Sequence, residues 1–404
     1  MRTDKTFYIL IPGSCSRRAL DAERVSNYLK SNNYSLAKDV FSADLIYISA
    51  CAFDQDMEDL GIKVIEKVLK SKNKNSKLII GGCLSKINKK RLLKLSNLGE
   101  FETISTKSID KIDNIIKPKI KFEAIRDSNI LKIPSKFDSN LIDMFNKFKF
   151  RFGFPYFLWN KIYYVPPVQD KGNVFFIKVG EGCLGNCNYC AIKFSVGRLK
   201  SKPIKTIIEE FKRGLRQGYK TFKLTAEDIG CYGWDINTNV IELLKKIFEH
   251  KGNYSIIIHN FNPNFLIKYY DKLLPVIKEN HEKIKHIQIP IQSGSDKILK
   301  MMNRPYEIKE VIKYLSDLKE NVKDLKISTD IIVGFPGESK KDFEKTLELL
   351  KTIRFYHVTV AKYSDRPRTK SDKMKNKIPE KLKLWRKLEL ELYLKLQKNL
   401  NIGL

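Results

Sequence analysis

Cys183-Leu184-Gly185-Asn186-Cys187-Asn188-Tyr189-Cys190 sets three thiols at C-x3-C-x2-C spacing. Three is the informative number. A closed structural zinc site takes four protein ligands, and a disulfide leaves one thiol over. A four-iron cluster held by three cysteines keeps one iron open for a further ligand. A trio of buried thiols or a zinc loop is the competing reading, but Gly185 and the two Asn fill a core poorly and let the backbone wrap a cluster.

Working outward from this loop, the chain alternates. Strand-like apolar runs are predicted at 174–179, 220–225, 254–259, 285–291, 326–333 and 358–363, separated by helical patterns at 203–217, 240–250, 264–278, 306–319 and 341–352. Six such units predict a partial (βα)6 barrel over 173–370, with ligand-bearing loops at its carboxyl-terminal mouth. The cysteine loop follows the first strand. Upstream, strands at 6–11, 43–49 and 77–80 alternate with helices at 20–31 and 57–70, which predicts an open parallel sheet with covering helices over 1–105. The fold class is therefore α/β throughout.

Cys15, Cys51 and Cys83 fall just beyond the carboxyl ends of those three N-terminal strands, where open parallel sheets build ligand sites. They can converge on one crevice and hold a second cluster, or serve as three small residues at strand ends. Between the two domains, residues 106–172 form a connector. It is basic at first (Lys107, Lys111, Lys117, Lys119, Lys121) and aromatic further on (Phe150, Phe152, Phe154, Tyr156, Phe157, Trp159). Packing at a domain seam is the preferred reading of these aromatics over base stacking.

The cysteine loop resembles the signature of the radical S-adenosylmethionine (SAM) superfamily. That resemblance implies SAM chelated to the open iron and cleaved by one electron to a 5'-deoxyadenosyl radical, which abstracts hydrogen from an unactivated C–H bond. With Gly13-Ser14-Cys15, Ser49-Ala50-Cys51 and Gly81-Gly82-Cys83 upstream, the chain resembles the radical SAM methylthiotransferase family over nearly its whole length. The family resemblance implies two [4Fe-4S] clusters, one on Cys183, Cys187 and Cys190 and a sulfur-donating one on Cys15, Cys51 and Cys83. It also implies an electron donor of flavodoxin or ferredoxin type. In this scheme the N-terminal cluster receives a methyl group from one SAM and delivers a methylthio unit to the carbon radical made with a second.

Later segments resemble the family's SAM contacts. Thr225-Ala226-Glu227-Asp228-Ile229-Gly230-Cys231-Tyr232-Gly233 offers Glu227 and Asp228 for the SAM ammonium, a sound charge pairing in a partly dry pocket. Cys231 stands where relatives tolerate Ala or Ser and reads as a small residue, not a ligand. Gln292 and Ser293 are candidates for the SAM carboxylate or ribose, and Arg304 for that carboxylate or an anionic substrate. Gly334-Phe335-Pro336-Gly337-Glu338 is a turn whose backbone is placed to flank the adenine.

Composition narrows the setting. No apolar h-region and no run long enough to span a bilayer is present, so a cytoplasmic protein is expected, with cysteines as ligands and not disulfides. The 76 Lys and Arg against 46 Asp and Glu give a formal net charge of +30, which suits a polyanion or merely solvates the surface. The Glu-Asp-x-Gly-x-Tyr-Gly form resembles the subgroup that thiomethylates C2 of N6-threonylcarbamoyladenosine in tRNA. The small RNA-binding barrel usual in the family has no counterpart after Thr369, where 371–404 instead predicts a basic helix. Phosphate contacts are then expected from Lys373, Lys375, Lys377, Lys381 and Lys383. A peptide or ribosomal-protein side chain is the alternative substrate, and a non-catalytic metal-binding protein the third reading.

Overall fold

The computed structural model describes residues 5–132 and 173–400, with side chains through residue 397. It divides into two compact units: Met1–Asn173 with Phe194–Val196, and Val174–Lys193 with Gly197–Leu404.

In the first unit, β1 (Lys5–Leu10), β2 (Tyr34–Leu36), β3 (Leu45–Ala50), β4 (Lys77–Gly82) and β5 (Glu102–Thr103) form one sheet in the order β2-β1-β3-β4-β5. Every pair is parallel. The central β3 is buried at all its positions, as a strand covered on both faces must be, and reads as the near-continuous apolar run Leu-Ile-Tyr-Ile-Ser-Ala, with Ser49 its one polar residue. The edge strands β2 and β5 go beyond the three predicted strands. At three and two residues they are too short to show a period.

Helices Ser16–Ser31 and Gln55–Ser71 cross between these strands. Phe7, Val25, Tyr28, Leu29, Tyr47 and Ile79 make the core, and Ile112 and Phe122 from the start of the predicted connector join it. Tyr28 Oη donates to Asp113 at 2.6 Å, and the Arg24 guanidinium lies 4.5 Å from the Phe122 ring centre. Up to residue 132, therefore, the connector is part of this unit's packing. Its aromatic run from Phe150 to Trp159 lies outside the described residues.

The second unit carries β6 (Val174–Lys178), β7 (Gly180–Glu181), β8 (Lys200–Ser201), β9 (Thr221–Thr225), β10 (Ser255–Ile258), β11 (Ile284–Gln288), β12 (Ile327–Val333) and β13 (His357–Lys362). The six long strands pair in parallel in the order β13-β12-β11-β10-β9-β6. Each strand neighbours its successor, so right-handed crossovers in one direction put the helices on one face and every carboxyl end along one edge. Helices Ile204–Arg216, Val240–Phe248, Pro263–Glu279, Ile308–Asn321 and Lys340–Thr352 fill the crossovers. β7 and β8 form a small antiparallel ribbon around the cysteine loop, a feature absent from the sequence expectation.

The last helix, Glu380–Leu400, is pinned to this sheet. Arg386 Nη1 donates to the Glu338 carboxylate at 2.6 Å and to the Glu338 carbonyl at 3.1 Å. That carboxylate also accepts the Gly334 N–H at 2.6 Å, so the Gly-Phe-Pro-Gly-Glu turn is clamped by a buried ion pair. The expectation that five tail lysines face phosphates needs correction. Lys383 is 3% exposed, bonds to Glu380 and lies over the Tyr363 ring. Lys377 pairs with Asp365 and donates to the Ser371 carbonyl. Both are held by local packing, and only Lys373, Lys375 and Lys381 stand in solvent. No described helix is long and apolar enough to cross a membrane.

Helix Lys340–Thr352 begins in a capping box between Ser339 and Asp342. Burial pushes the Asp342 carboxyl up, but hydrogen bonds from Lys297, Ser339 and Ser295 outweigh it and hold the group well below the usual carboxylate range. A depressed carboxyl stabilises the fold above its ordinary value, 3.8, and that contribution is lost as pH falls through the lower folded-state value. Denaturant melts should therefore show Ser339→Ala less stable by about 1 kcal/mol at neutral pH. Asp342→Asn should flatten the acid limb of the stability profile.

Candidate functional site

The Cys183 loop has little regular structure and is held by hydrogen bonds to its neighbours. Gly182 has φ +78°, and a Cβ there would collide with the Arg198 carbonyl. Its N–H donates to Glu227 Oε2 at 3.0 Å, and the Cys183 N–H donates to the Gly197 carbonyl at 3.3 Å. On the other flank Asn188 donates from N–H to Met302 O (2.9 Å) and from Nδ2 to Met301 O (2.8 Å). Asn303 Nδ2 returns a bond to Asn186 O at 2.8 Å. The Asn residues inside the loop thus fasten it to the segment 301–303.

Gly185 shows what the loop is shaped around. A Cβ at this position would sit 3.1 Å from Cys183 Sγ and 3.9 Å from Cys187 Sγ, and the Gly185 N–H donates to Cys183 Sγ at 3.1 Å. The three thiols are free and partly exposed. Burial, then Cys187 nearby, pushes the Cys190 thiol up to about 11. A thiol that resists ionisation in this way is stabilised as a thiolate when a cationic centre joins it.

Asp228, after β9, is 3% exposed, and its Oδ2 lies 4.0 Å from Cys183 Sγ. It accepts from Gly230 N–H and from Asn262 Nδ2, yet burial still pushes its carboxyl up to about 6. Arg304 is 8% exposed, with its guanidinium 6.0 Å from the Tyr189 ring centre and its Nε buried without a hydrogen-bond partner. The structure therefore brings Asp228 and Arg304 to the cysteine loop, while Glu227 buttresses that loop from beneath. Gln292 is buried at φ +80°, bridging by its backbone to Ile331 and Asp330. Ser293 is fully buried, with its hydroxyl engaged by Thr346 and the Ser295 N–H, so the structure does not present that side chain to the site.

One residue was underrated by its sequence context. Cys231 is fully buried beside Cys183; hydrogen bonding between the two thiols lowers Cys183 and raises Cys231. Only the spacing of Cys231 from Asp228 hinted at this.

In the first unit Cys51 directly follows β3 and Cys83 directly follows β4, while Cys15 opens helix Ser16–Ser31. Burial first, then Cys83 and Cys15, pushes the Cys51 thiol well up. Ser14 Oγ donates to Ser49 O at 2.7 Å and ties the segment before Cys15 to the end of β3. Gly82 has φ +82°, and a Cβ there would lie 2.5 Å from the Ala50 carbonyl on β3. A buried Arg18–Asp21 ion pair at 2.5 Å lies close enough, with Cys83, to influence Tyr47.

Among the described residues, the one set of three potential ligands within 4.8 Å of one another is Cys183, Asp228 and Cys231. Both cysteine triads are more widely set.

Residues 177–350 match the Radical SAM superfamily, and residues 7–101 match Uncharacterized protein family UPF0004. The chain is 31% identical over 363 residues to the probable threonylcarbamoyladenosine tRNA methylthiotransferase of Pyrococcus abyssi, covering 89% of this chain and 77% of that one. It is 29% identical over 375 residues to threonylcarbamoyladenosine tRNA methylthiotransferase MtaB of Thermotoga maritima (91% and 77% covered). It is 31% identical over 386 residues to the tRNA-2-methylthio-N(6)-dimethylallyladenosine synthase of Thermodesulfovibrio yellowstonii (95% and 81%). Among solved structures, the radical SAM methyltransferase TsrM from Kitasatospora setae shares the fold with a TM-score of 0.60 at 9% identity, over 91% of this chain and 75% of that one.

The parallel sheet and its cysteine loop make the second unit a radical SAM enzyme domain. Taken over its length, the chain belongs to the radical SAM methylthiotransferase family. SAM and a [4Fe-4S] cluster follow from that membership, and the Gly185 cradle and orphaned Arg304 Nε fit them.

Gly81 tests the packing behind Cys83. A Cβ here would fall onto the hydroxyl and ring of the buried Tyr47. Gly81→Ala should cost about 1–3 kcal/mol in a thermal or denaturant melt, as overpacking does. Adding Tyr47→Ala should recover part of the loss relative to Tyr47→Ala alone.

Proposed function

We propose that the protein methylthiolates C2 of N6-threonylcarbamoyladenosine in transfer RNA. Cys183, Cys187 and Cys190 hold the SAM-binding cluster; Cys15, Cys51 and Cys83 hold a second, sulfur-donating one. The observation that carries this reading is the pairing of two cysteine triads, each at the carboxyl ends of parallel strands, within a chain matched over most of its length by relatives named for that nucleoside.

When bound, SAM supplies both the methyl group and, on reductive cleavage, the hydrogen-abstracting radical. The chain's own groups orient it. Asp228 offers a buried carboxylate beside Cys183 to the SAM ammonium, and Arg304 offers an unsatisfied N–H to a carboxylate. Glu227 keeps the loop in place through Gly182. The electron comes from a flavodoxin- or ferredoxin-type donor. Lys373, Lys375 and Lys381 are exposed for phosphate contacts. A second reading is favoured by the relative named for the dimethylallyl nucleoside, which is as similar as the first.

Iron analysis of anaerobically reconstituted protein should give close to two four-iron clusters. Replacing either triad by Ala should remove about half of the iron. Loss of Cys15, Cys51 and Cys83 should leave 5'-deoxyadenosine formation intact and abolish methylthiolation. Full iron retention in either variant would sink the assignment.

Mass spectrometry of nucleosides from a deletion strain and its parent decides the substrate. Loss of the 2-methylthio derivative of N6-threonylcarbamoyladenosine is expected; loss of the dimethylallyl derivative instead supports the second reading, and an unchanged profile turns the search to peptide side chains. Changing Lys373, Lys375 and Lys381 to Gln should reduce the salt slope of tRNA binding by roughly 0.9 for each phosphate no longer neutralised.

A further inference from the structure

The 3-10 turn Ile229–Cys231 follows directly on Asp228, and at three residues per turn it stacks the side chains of Asp228 and Cys231 on one side. That side faces Cys183. Asp228 Oδ2 is 4.0 Å from Cys183 Sγ, the Cys231 thiol donates to the Asp228 carbonyl at 3.2 Å, and all three ligand atoms lie within 4.8 Å of one another. Asp228 is 3% and Cys231 0% exposed, while Cys183 is partly exposed and gives solvent a way in.

Two sulfurs and one carboxylate oxygen are a donor set for a thiophilic divalent cation. Bond lengths of about 2.3 Å to sulfur and about 2.0–2.2 Å to oxygen place the ligand atoms of tetrahedral zinc roughly 3.3–3.8 Å apart. The observed group needs only a small contraction to reach that spacing, and a water at the exposed side of Cys183 completes the coordination. Binding releases the thiol protons to solvent and needs no oxidant or reductant.

The geometry points to a separate metal site: Cys183, Asp228 and Cys231 bind one zinc-type cation in protein whose cluster is not assembled. Because Cys183 serves both centres, the ion and the SAM-binding cluster exclude one another. This exclusivity rests on the cluster assignment proposed above, whereas the ion site does not. Cys231 becomes the residue that decides whether cluster-free protein traps zinc.

The test uses full-length protein stripped of iron anaerobically and titrated with Co2+, whose thiolate charge-transfer absorption reports sulfur ligation. Wild type should show a tight equivalent, displaced by Zn2+, that is weakened about 100-fold or more in Cys231→Ala, since even indirect partners of a metal are worth 10–100-fold. Asp228→Asn should weaken the same equivalent and leave the sulfur band. Cys231→Ser, closest in size to the native residue, guards against a packing defect, and its far-ultraviolet circular dichroism should match wild type. Superimposable Co2+ titrations of wild type and both Cys231 variants would overturn the ion site. In a second arm, one equivalent of Zn2+ should slow iron loading of the Cys183 centre in wild type and leave Cys231→Ala unaffected. Equal slowing in both would overturn the exclusivity, even where the Co2+ result stands.

Discussion

Thiols gathered in a buried corner resist ionisation, because each loses hydration and each thiolate repels the next. Cys51 and Cys190 both show this, with burial the larger cause and neighbouring cysteines the next. The fold must hold such groups together without help from their own attraction. It does so by committing backbone and side-chain donors of the segments that carry them to flanking elements: Gly182 to Glu227 and Asn188 to Met301 and Met302 in the second unit, Ser14 to Ser49 in the first. A loop fastened on both sides keeps its thiols converged before any metal arrives, and lowers the entropy lost when a cluster is built.

Parallel sheets supply the places to fasten it. In each unit the strand ends lie along one edge, so residues remote in sequence, such as Ser14 and Ser49, become neighbours. Glycine permits the last step of that approach. At Gly82 the β4 backbone comes so near β3 that no side chain fits, and Cys83 is the next residue. At Gly185 the missing side chain is the space between two sulfurs. Both glycines are therefore part of the geometry that sets the adjoining cysteines.

The long strands and helices were legible because their apolar periods are unbroken; β12, predicted at 326–333, runs Ile327–Val333. The edge strands β2 and β5 and the β7–β8 ribbon were not, since two or three residues carry no period and their pairing depends on distant partners. The Cys183 loop was legible from its spacing, and the positions of Cys51 and Cys83 directly after β3 and β4 from the strand ends. Side-chain partners were another matter. Ser293 reads as a polar contact but finds Thr346 in the core, and Lys383 reads as a surface cation but is covered by Tyr363 and Gly334. Both depend on contacts made across roughly 20 residues or more, which no local pattern encodes.

The same distinction separates Cys231 from the other cysteines. Neither triad gathers its sulfurs within the 4.8 Å that encloses the ligand atoms of Cys183, Asp228 and Cys231, and these three are close enough to share a single ion. The tighter group arises because one 3-10 turn brings Asp228 and Cys231 into register against a loop held elsewhere by Glu227, next in the chain to Asp228. Adjacent carboxylates in one short segment thus do different work: Glu227 fixes where Cys183 stands, and Asp228 sets what electrostatic company it keeps. Ligand spacing, more than ligand identity, decides which kind of metal centre a sulfur-rich corner accepts.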